Sequence, residues 1–414
     1  MKVLYIHQYF ATPESVGGTR SYEMARRLVR DGHEVVMLTS SAFLPPHWKS
    51  PRGWTTKEFD GIKLLIYHLP YSNLTPFYKR VLIFLKFMIV ATFKGARQSC
   101  DIVFGSSTPL TVAVPGVMIS KFRRIPFVFE VRDLWPEIPI SLGILNHPVT
   151  KWVAQRLEKW AYRNAAHIVS LSPGISEGVI AVGEAPQKIS LIPNAADVDR
   201  FSVGREAGQQ FKAKYSWLAD RPLVVYVGTF GYVNNLSYLI EVASVCLRLN
   251  EKICFVLIGD GDEKVFLQDY ARRLGVLNRN IFILPSIPKQ EIPSVLSAAD
   301  FCISTVLPNP VLWRNSANKF FDALAAGRPI AINYRGWQAE LIDEEGCGVV
   351  LEHDNVQVAA QTLVEKIENL AWCANARVNA RLLAEKSFDR ETLYRKLERT
   401  LGRVLSDYSS EHLT

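Results

Sequence analysis

Short apolar runs that end in small or polar residues alternate along this chain with amphipathic stretches, and the alternation starts twice. "KVLYIHQYF", "HEVVMLTSS", "CDIVFGSS", "IPFVFEVRD" and "AAHIVSLSP" read as strands of a first set. Between them, stretches such as "TRSYEMARRLVRDG", closed by Gly32, and "PVTKWVAQRLEKWAYRNA" read as helices. Strands covered on both faces by crossover helices are continuous apolar runs, so the pattern specifies a parallel sheet between helix layers. A charged, weakly patterned stretch, "REAGQQFKAKYSWLADRP" at 205–222, interrupts it. A second set follows with "LVVYVGTFG", "ICFVLIGDG", "IFILPSI", "ADFCISTV", "PIAINY" and "GVVLE" as strands, and "LSYLIEVASVCLRL" and "KVFLQDYARRLG" as helices. The 414 residues exceed what one ordinary core organises. The expected fold is therefore α/β, with two Rossmann-like doubly wound domains facing a cleft, over residues 1–200 and 201–387 and joined near 196–221. The last amphipathic helix, over about 388–408, is placed to pack back on the first domain.

A formal net charge of +8 favours anionic partners such as nucleotides, diphosphates or acidic lipid surfaces. The cations are dispersed and no RNA- or DNA-binding module appears, so no nucleic acid partner is expected. Six cysteines occur singly, mostly inside apolar runs, and read as small buried side chains; no metal site is expected. "MKVLYIHQYF" turns polar at Gln8 and reads as a first strand rather than a signal peptide. "VLIFLKFMIVATF", residues 81–93, contains Lys86 and falls short of the roughly 20 apolar residues a spanning helix needs. A cytoplasmic chain that touches a membrane is the expectation.

Open parallel sheets bind ligands at the carboxyl ends of their strands. Gly17 and Gly18 follow the first strand and precede a helix, where backbone amides can approach a phosphate or a sugar, or where the glycines simply permit a turn. No G-x-G-x-x-G stands there, which counts against a nicotinamide or flavin enzyme. Gly228 and Gly231 in "GTFGYVNN", and Gly259 and Gly261 in "IGDGDEK", occupy the same topological place in the second set. "FEVRDLWPEIP" gathers Glu130, Arg132, Asp133 and Glu137 at a strand end. "SANKFFDALAAGRPIAINY" raises a sharper question, because Lys319 and Asp322 interrupt an otherwise apolar helix. Asn315 and Ser316 are its candidate N-caps and Gly327 its stop. Residues three apart share a helix face. A cation near a helix N-terminus is unfavourable unless an anion sits beside it. One turn could thus place pyrophosphate on Lys319 and a ribose diol on Asp322.

The ordered set "GGTRSYEMARRLVRDGHEVVMLTS", "VRDLWPE", "IPNAADVDRF", "YVGTFG", "IGDGDEK" and "NKFFDALAAGRPIAI" resembles the bacterial glycosyltransferases of the GT-B fold called family 4, over roughly residues 1–400. Its wording is similar to the subgroup that builds O-antigen and capsule units, L-fucosamine transferases among them. The resemblance implies transfer of a sugar from a UDP-sugar donor, with retention of configuration and without a metal or other cofactor. It puts Asp322 at the second acid of the family's E-x7-E motif; Arg314 stands where the first would be. The family's Arg and Lys after the first strand of the second domain are missing here, and Lys319 is the candidate replacement, with Asn318 beside it on the donor. Asp133 and Glu137 are candidates for catalytic work on the acceptor, and Arg132 for binding it.

"NLTPFYKRVLIFLKFMIVATFKGARQ" mixes an apolar segment with Lys79, Arg80 and Lys86. It reads either as a buried core helix or as an interfacial helix on the inner membrane, reaching an undecaprenyl-diphosphate-linked saccharide. Two other readings stay open: an epimerase or hydrolase of sugar nucleotides on the same fold, and a nucleotide-binding scaffold without turnover.

Overall fold

A computed structural model describes residues 1–15, 17–48, 52–71 and 75–412. Val16 and, within the basic-apolar stretch, Asn73 and Leu74 lie outside the described residues. The chain divides into two units, Met1–Pro193 with Leu393–Thr414, and Asn194–Thr392. The division falls before the weakly patterned stretch, which folds as a helix of the second unit instead of linking the two.

The first unit is built on an eight-stranded sheet of order β3-β4-β2-β1-β5-β6-β7-β8. Its strands are β1 (Lys2–Ile6), β2 (Glu34–Ser40), β3 (Trp54–Phe59), β4 (Ile62–Tyr67), β5 (Ile102–Ser106), β6 (Phe127–Val131), β7 (His167–Ser170) and β8 (Ile189–Leu191). All neighbours pair in parallel except β3 and β4, a hairpin at the sheet edge. Its turn is Asp60-Gly61, both at positive φ, the backbone a two-residue hairpin turn demands. The helices are α1 (Arg20–Arg30), α2 (Phe77–Gly95), α3 (Ala113–Arg123), α4 (Glu137–Ser141), α5 (Pro148–Asn164) and α6 (Pro173–Ala181). One buried core unites a face of the sheet (Leu4, Val103, Phe129, Ile168) with Phe87 of α2, Val117 of α3 and Tyr162 of α5.

The second unit has a six-stranded, all-parallel sheet of order β11-β10-β9-β12-β13-β14. These are β9 (Leu223–Val227), β10 (Cys254–Ile258), β11 (Ile281–Leu284), β12 (Phe301–Ser304), β13 (Ile330–Ile332) and β14 (Gly348–Val350). Around it lie α7 (Arg205–Ala213), α8 (Leu236–Leu249), α9 (Lys264–Arg273), α10 (Ile292–Ala298), α11 (Pro310–Trp313), α12 (Asn318–Ala325), α13 (Trp337–Glu345), α14 (Val356–Glu368) and α15 (Leu370–Ser387). Cores form on both faces of the sheet. α7 docks on α10, where a methyl at Gly208 would stand 2.7 Å from the Ser297–Ala298 backbone. The long α16 (Arg390–His412) starts in the second unit and belongs to the first from Leu393 on. There Tyr394 Oη donates to the Arg27 carbonyl at 3.1 Å.

All six cysteines are buried and unpaired. Burial pushes the Cys246, Cys254, Cys302 and Cys347 thiols up to about 12, as small core residues require. Among the described residues, no helix is long and apolar enough to cross a membrane.

Candidate functional site

In each sheet the chain reverses its direction of winding at one point, between β1 and β5 in the first unit and between β9 and β12 in the second. Strand ends beside such a point open a crevice for ligands. Gly17 and Gly18 follow β1 and Gly228 and Gly231 follow β9, whereas Lys79, Arg80 and Lys86 lie on α2.

In the second unit, β9 ends at Val227 and runs through Gly228 into a short 3-10 turn, Tyr232–Asn234, before α8. Lys319, in the first turn of α12, reaches this place from 85 residues away, and its Nζ donates to Asn234 Oδ1 at 3.2 Å. The ammonium stands 5.1 Å over the Tyr226 ring at the end of β9. Tyr226 is buried, and its Oη donates to the Thr229 carbonyl at 2.8 Å. A Cβ at Gly228 would lie 3.4 Å from Lys319 Nζ, so the glycine leaves the room the ammonium needs. Burial lowers the Lys319 amine to about 8, and the charge of Asp322 offsets part of that.

Asp322 does not pair with Lys319, so the two are not a surface ion pair one turn apart. Burial raises its carboxyl to about 6 against the fields of Arg390, Lys289 and Arg200, with Asp197 adding to the rise. Arg390 is held in turn by the Ala195 carbonyl at 2.6 Å and by Asp197 at 3.4 Å. These groups come from three distant segments, and no spacing in the sequence joins them to Asp322.

The start of α12 differs from expectation. Ala317 holds the N-cap position, not Asn315 or Ser316. Ser316 Oγ is engaged by the Asn194 amide at 3.1 Å, and Asn194 Nδ2 donates to the Ser316 carbonyl. Asn315 Oδ1 accepts from the Ala317 amide at 2.9 Å, a turn just before the helix. Asn318 is exposed in the first turn. Gly327 stops the helix as expected, at φ 60°, with Arg328 N donating to the Ala323 carbonyl at 3.0 Å.

The remaining glycines of this unit divide by role. Gly231 meets only side-chain atoms of Asn234 and Thr229, both at 3.8 Å. Gly259 and Gly261 instead let the turn after β10 close on the turn after β9. Gly228 N donates to the Ile258 carbonyl at 3.0 Å, and Phe230 N to that of Asp260 at 2.9 Å. A Cβ on Gly259 would overlap the Gly228 carbonyl. Gly259→Ala is expected to cost ~2–3 kcal/mol of stability, because the obstacle is backbone and cannot swing aside. Denaturant unfolding checks this.

In the first unit, the charges at and beyond the end of β6 separate into a buried brace and an open edge. Glu130 is fully buried, accepts from Arg20 Nε at 2.9 Å and from Ser106 Oγ at 2.7 Å. Arg20 also donates to the Pro193 and Ile192 carbonyls at 2.6 and 2.9 Å. Every strong group there is satisfied from within, so the pair is structural. Arg132 is half-buried at the strand end, with its amide on Ser107 Oγ at 3.0 Å and its guanidinium 3.3 Å from His7 Nε2. An arginine only donates, so His7 Nε2 accepts and its Nδ1–H donates to Ser21 Oγ, 2.9 Å away. Asp133 Oδ2 accepts from Thr108 Oγ1 at 3.2 Å. Glu137 opens α4. Gly17 has φ 127°, a backbone state other residues rarely adopt; Gly18 beside it is partly buried.

On α2, Lys79 and Lys86 are exposed. Arg80 folds back, donating from Nε to the Thr75 carbonyl at 2.7 Å and lying 5.9 Å over the Tyr71 ring.

Residues 17–195 match the family described as glycosyl transferase 4-like domain, and residues 221–369 the family described as glycosyl transferases group 1. WcaI of Escherichia coli (strain K12), named a "putative colanic acid biosynthesis glycosyl transferase", is 24% identical over 96% of this chain and 98% of its own. An Escherichia coli UDP-Gal:alpha-D-GlcNAc-diphosphoundecaprenol alpha-1,3-galactosyltransferase is 26% identical over 47% of this chain and 50% of its own. HepE of Anabaena, solved in complex with UDP-glucose, superposes with a TM-score of 0.70 at 18% identity, covering 97% of this chain and 100% of that one. With one transferase domain matched in each half, and two doubly wound parallel-sheet units beneath them, the chain is a glycosyltransferase of the GT-B fold.

Proposed function

We propose that this glycosyltransferase serves bacterial surface-polysaccharide synthesis of the O-antigen kind, moving a sugar from UDP to an undecaprenyl-diphosphate-linked saccharide with retention of configuration. N-acetyl-L-fucosamine is the sugar its sequence resemblance favours. The observation that carries the reading is the position of Lys319: an ammonium at the end of β9, one helical turn from a carboxylate and beside the sheet's switch point. Diphosphate on Lys319 and the first-turn amides of α12, with Asn318 at their edge, leaves Asp322 to accept hydrogen bonds from the ribose diol. Gly228 and Gly231 give the diphosphate room above the strand end. The colanic acid assignment of WcaI and the lipid diphosphate in the galactosyltransferase's name support the pathway and the acceptor class. The UDP-glucose held by HepE supports the donor.

In this reaction the bond from the anomeric carbon to the diphosphate oxygen breaks. The acceptor hydroxyl bonds to the same face of that carbon, and its proton passes to the departing diphosphate. Lys319 stabilises the charge that develops on the leaving group, so the reading calls for no metal ion. Arg132, held by His7, is the acceptor-side cation, and Asp133 and Glu137 orient the acceptor hydroxyl. α2 lies on the cytoplasmic face of the inner membrane, where Lys79 and Lys86 meet headgroups.

Thermal stabilisation by UDP, GDP and NAD, on the wild type and on Asp322→Ala, tests the donor site. Selective stabilisation by UDP that the variant loses is expected. Stabilisation that survives the substitution returns Asp322 to a structural role, and no stabilisation by any of the three overturns the donor assignment.

A further inference from the structure

Three neighbouring helices of the first unit turn apolar side chains outward. α2, α3 and α5 cover the same face of the sheet and share one buried core beneath them. α3 packs against both of the others, and a methyl at Gly95 of α2 would collide with Ile119 of α3. The outer side of such a layer is ordinarily polar. Here Leu82, Ile89 and Phe93 of α2 are 61%, 52% and 64% exposed, at the spacing of one helical stripe. Phe122 of α3 is 75% exposed and Trp152 of α5 57%. Because the inner sides already fill the core, these residues have no packing role within the unit.

The exposed charges on these three helices have one sign. The three helices carry ten Lys and Arg and a single acid, Glu158, which is buried and accepts from Tyr162 Oη at 3.2 Å. An apolar surface on helices whose own exposed charges are all cations matches an anionic bilayer, whose headgroups take the charge while the acyl boundary takes the rings. A second copy matches it poorly, since a two-fold interface would set these cations against themselves. Trp152 has a guanidinium over its ring, Arg156 at 5.3 Å, an amphipathic pair of the kind that sits at headgroup depth.

We infer that the bilayer-docking surface is the whole α2–α3–α5 face, with Phe122 and Trp152 forming a second anchor beside α2. This rests on the membrane reading above and adds orientation to it. A unit held by one helix can roll about that helix axis; a unit held along two lines cannot. Fixing the roll fixes the height of Arg132 and its strand end above the lipid, which a lipid-linked acceptor requires.

Flotation with phosphatidylcholine vesicles, with and without phosphatidylglycerol, tests it on the full chain. The variants are Leu82→Ser/Phe93→Ser on α2 and Phe122→Ser/Trp152→Ser on the other two helices. All four positions are exposed, and an unchanged melting temperature confirms the fold. The wild type is expected to bind only the anionic vesicles, and each double variant to lose about tenfold or more in partitioning from the lost apolar insertion. Activity on a water-soluble acceptor should stay at the wild-type level in both. If the Phe122/Trp152 variant floats like the wild type while the α2 variant does not, the second anchor is wrong and docking by α2 stands. If the wild type fails to float, both fall. If the wild type sediments as a dimer that the Phe122/Trp152 variant abolishes, the face is a contact between copies and the inference is overturned.

Discussion

Lys319→Met is expected to lower kcat/KM for a UDP-sugar roughly 100- to 1,000-fold, the range for removing one preorganised charge from a developing oxyanion. Methionine keeps most of the side chain's volume against Tyr226 and Gly228 and removes only the ammonium. A stability loss should therefore be small, and near-equal melting temperatures would separate chemistry from folding. The same variant has a signature in pH. The Lys319 amine is lowered to about 8 by burial, so the cation that binds the diphosphate is present below about 8 and lost above it. The Asp322 carboxyl is raised to about 6 by burial, so the ribose-binding carboxylate is present above about 6 and lost below it. For a nucleotide-sugar, whose phosphodiesters do not titrate in this range, the pH profile of kcat/KM should be a bell between these limits. Lys319→Met should abolish the alkaline limb and leave the acid one; Asp322→Asn should do the reverse. A wild-type profile flat from pH 6 to 9 would remove Lys319 from the donor site.

The second large effect is on stability. Glu130→Ala should destabilise the protein by ~3–4 kcal/mol, because it leaves the Arg20 guanidinium buried without its counter-charge. The side chains are 3% and 0% exposed, so water cannot replace the lost partner. Arg20→Met should cost a comparable amount, since it also strips the donors from the Ile192 and Pro193 carbonyls. Combining Arg20→Met with Glu130→Ala should cost less than the sum of the two single losses, because no buried charge is left unpaired, but it does not restore the bonds to those two carbonyls. Chemical denaturation of the four proteins measures the coupling. Additive losses would show that the pair does not act as a unit.

Local periodicity carries much of the fold. The helix "LSYLIEVASVCLRL" is α8 to the residue, and the apolar runs of the second half are its strands. Helical spacing puts Lys319 and Asp322 one turn apart on α12. Other local signals are weaker. The hairpin of β3 and β4 shows only in its Asp60-Gly61 turn, because β3 mixes threonine, lysine and glutamate at an exposed edge and has no apolar run. α7 looked like a linker because only one narrow side of it, with Gly208 and Phe211, is buried.

The sequence by itself determined the two α/β halves and the residue types of the site, because both rest on periodicity and turn chemistry within a few residues. Tertiary structure decided which charges meet. Arg20 and Glu130 are 110 residues apart, and Lys319 and Asn234 are 85 apart. Strand order brings such pairs together, and crossover connections leave no spacing in the chain from which to infer them. It also decided that α2 is neither wholly buried nor free: Phe87 faces the core while Phe93 faces out. A helix apolar on most sides cannot announce which side its neighbours will cover; only the layer it joins settles that.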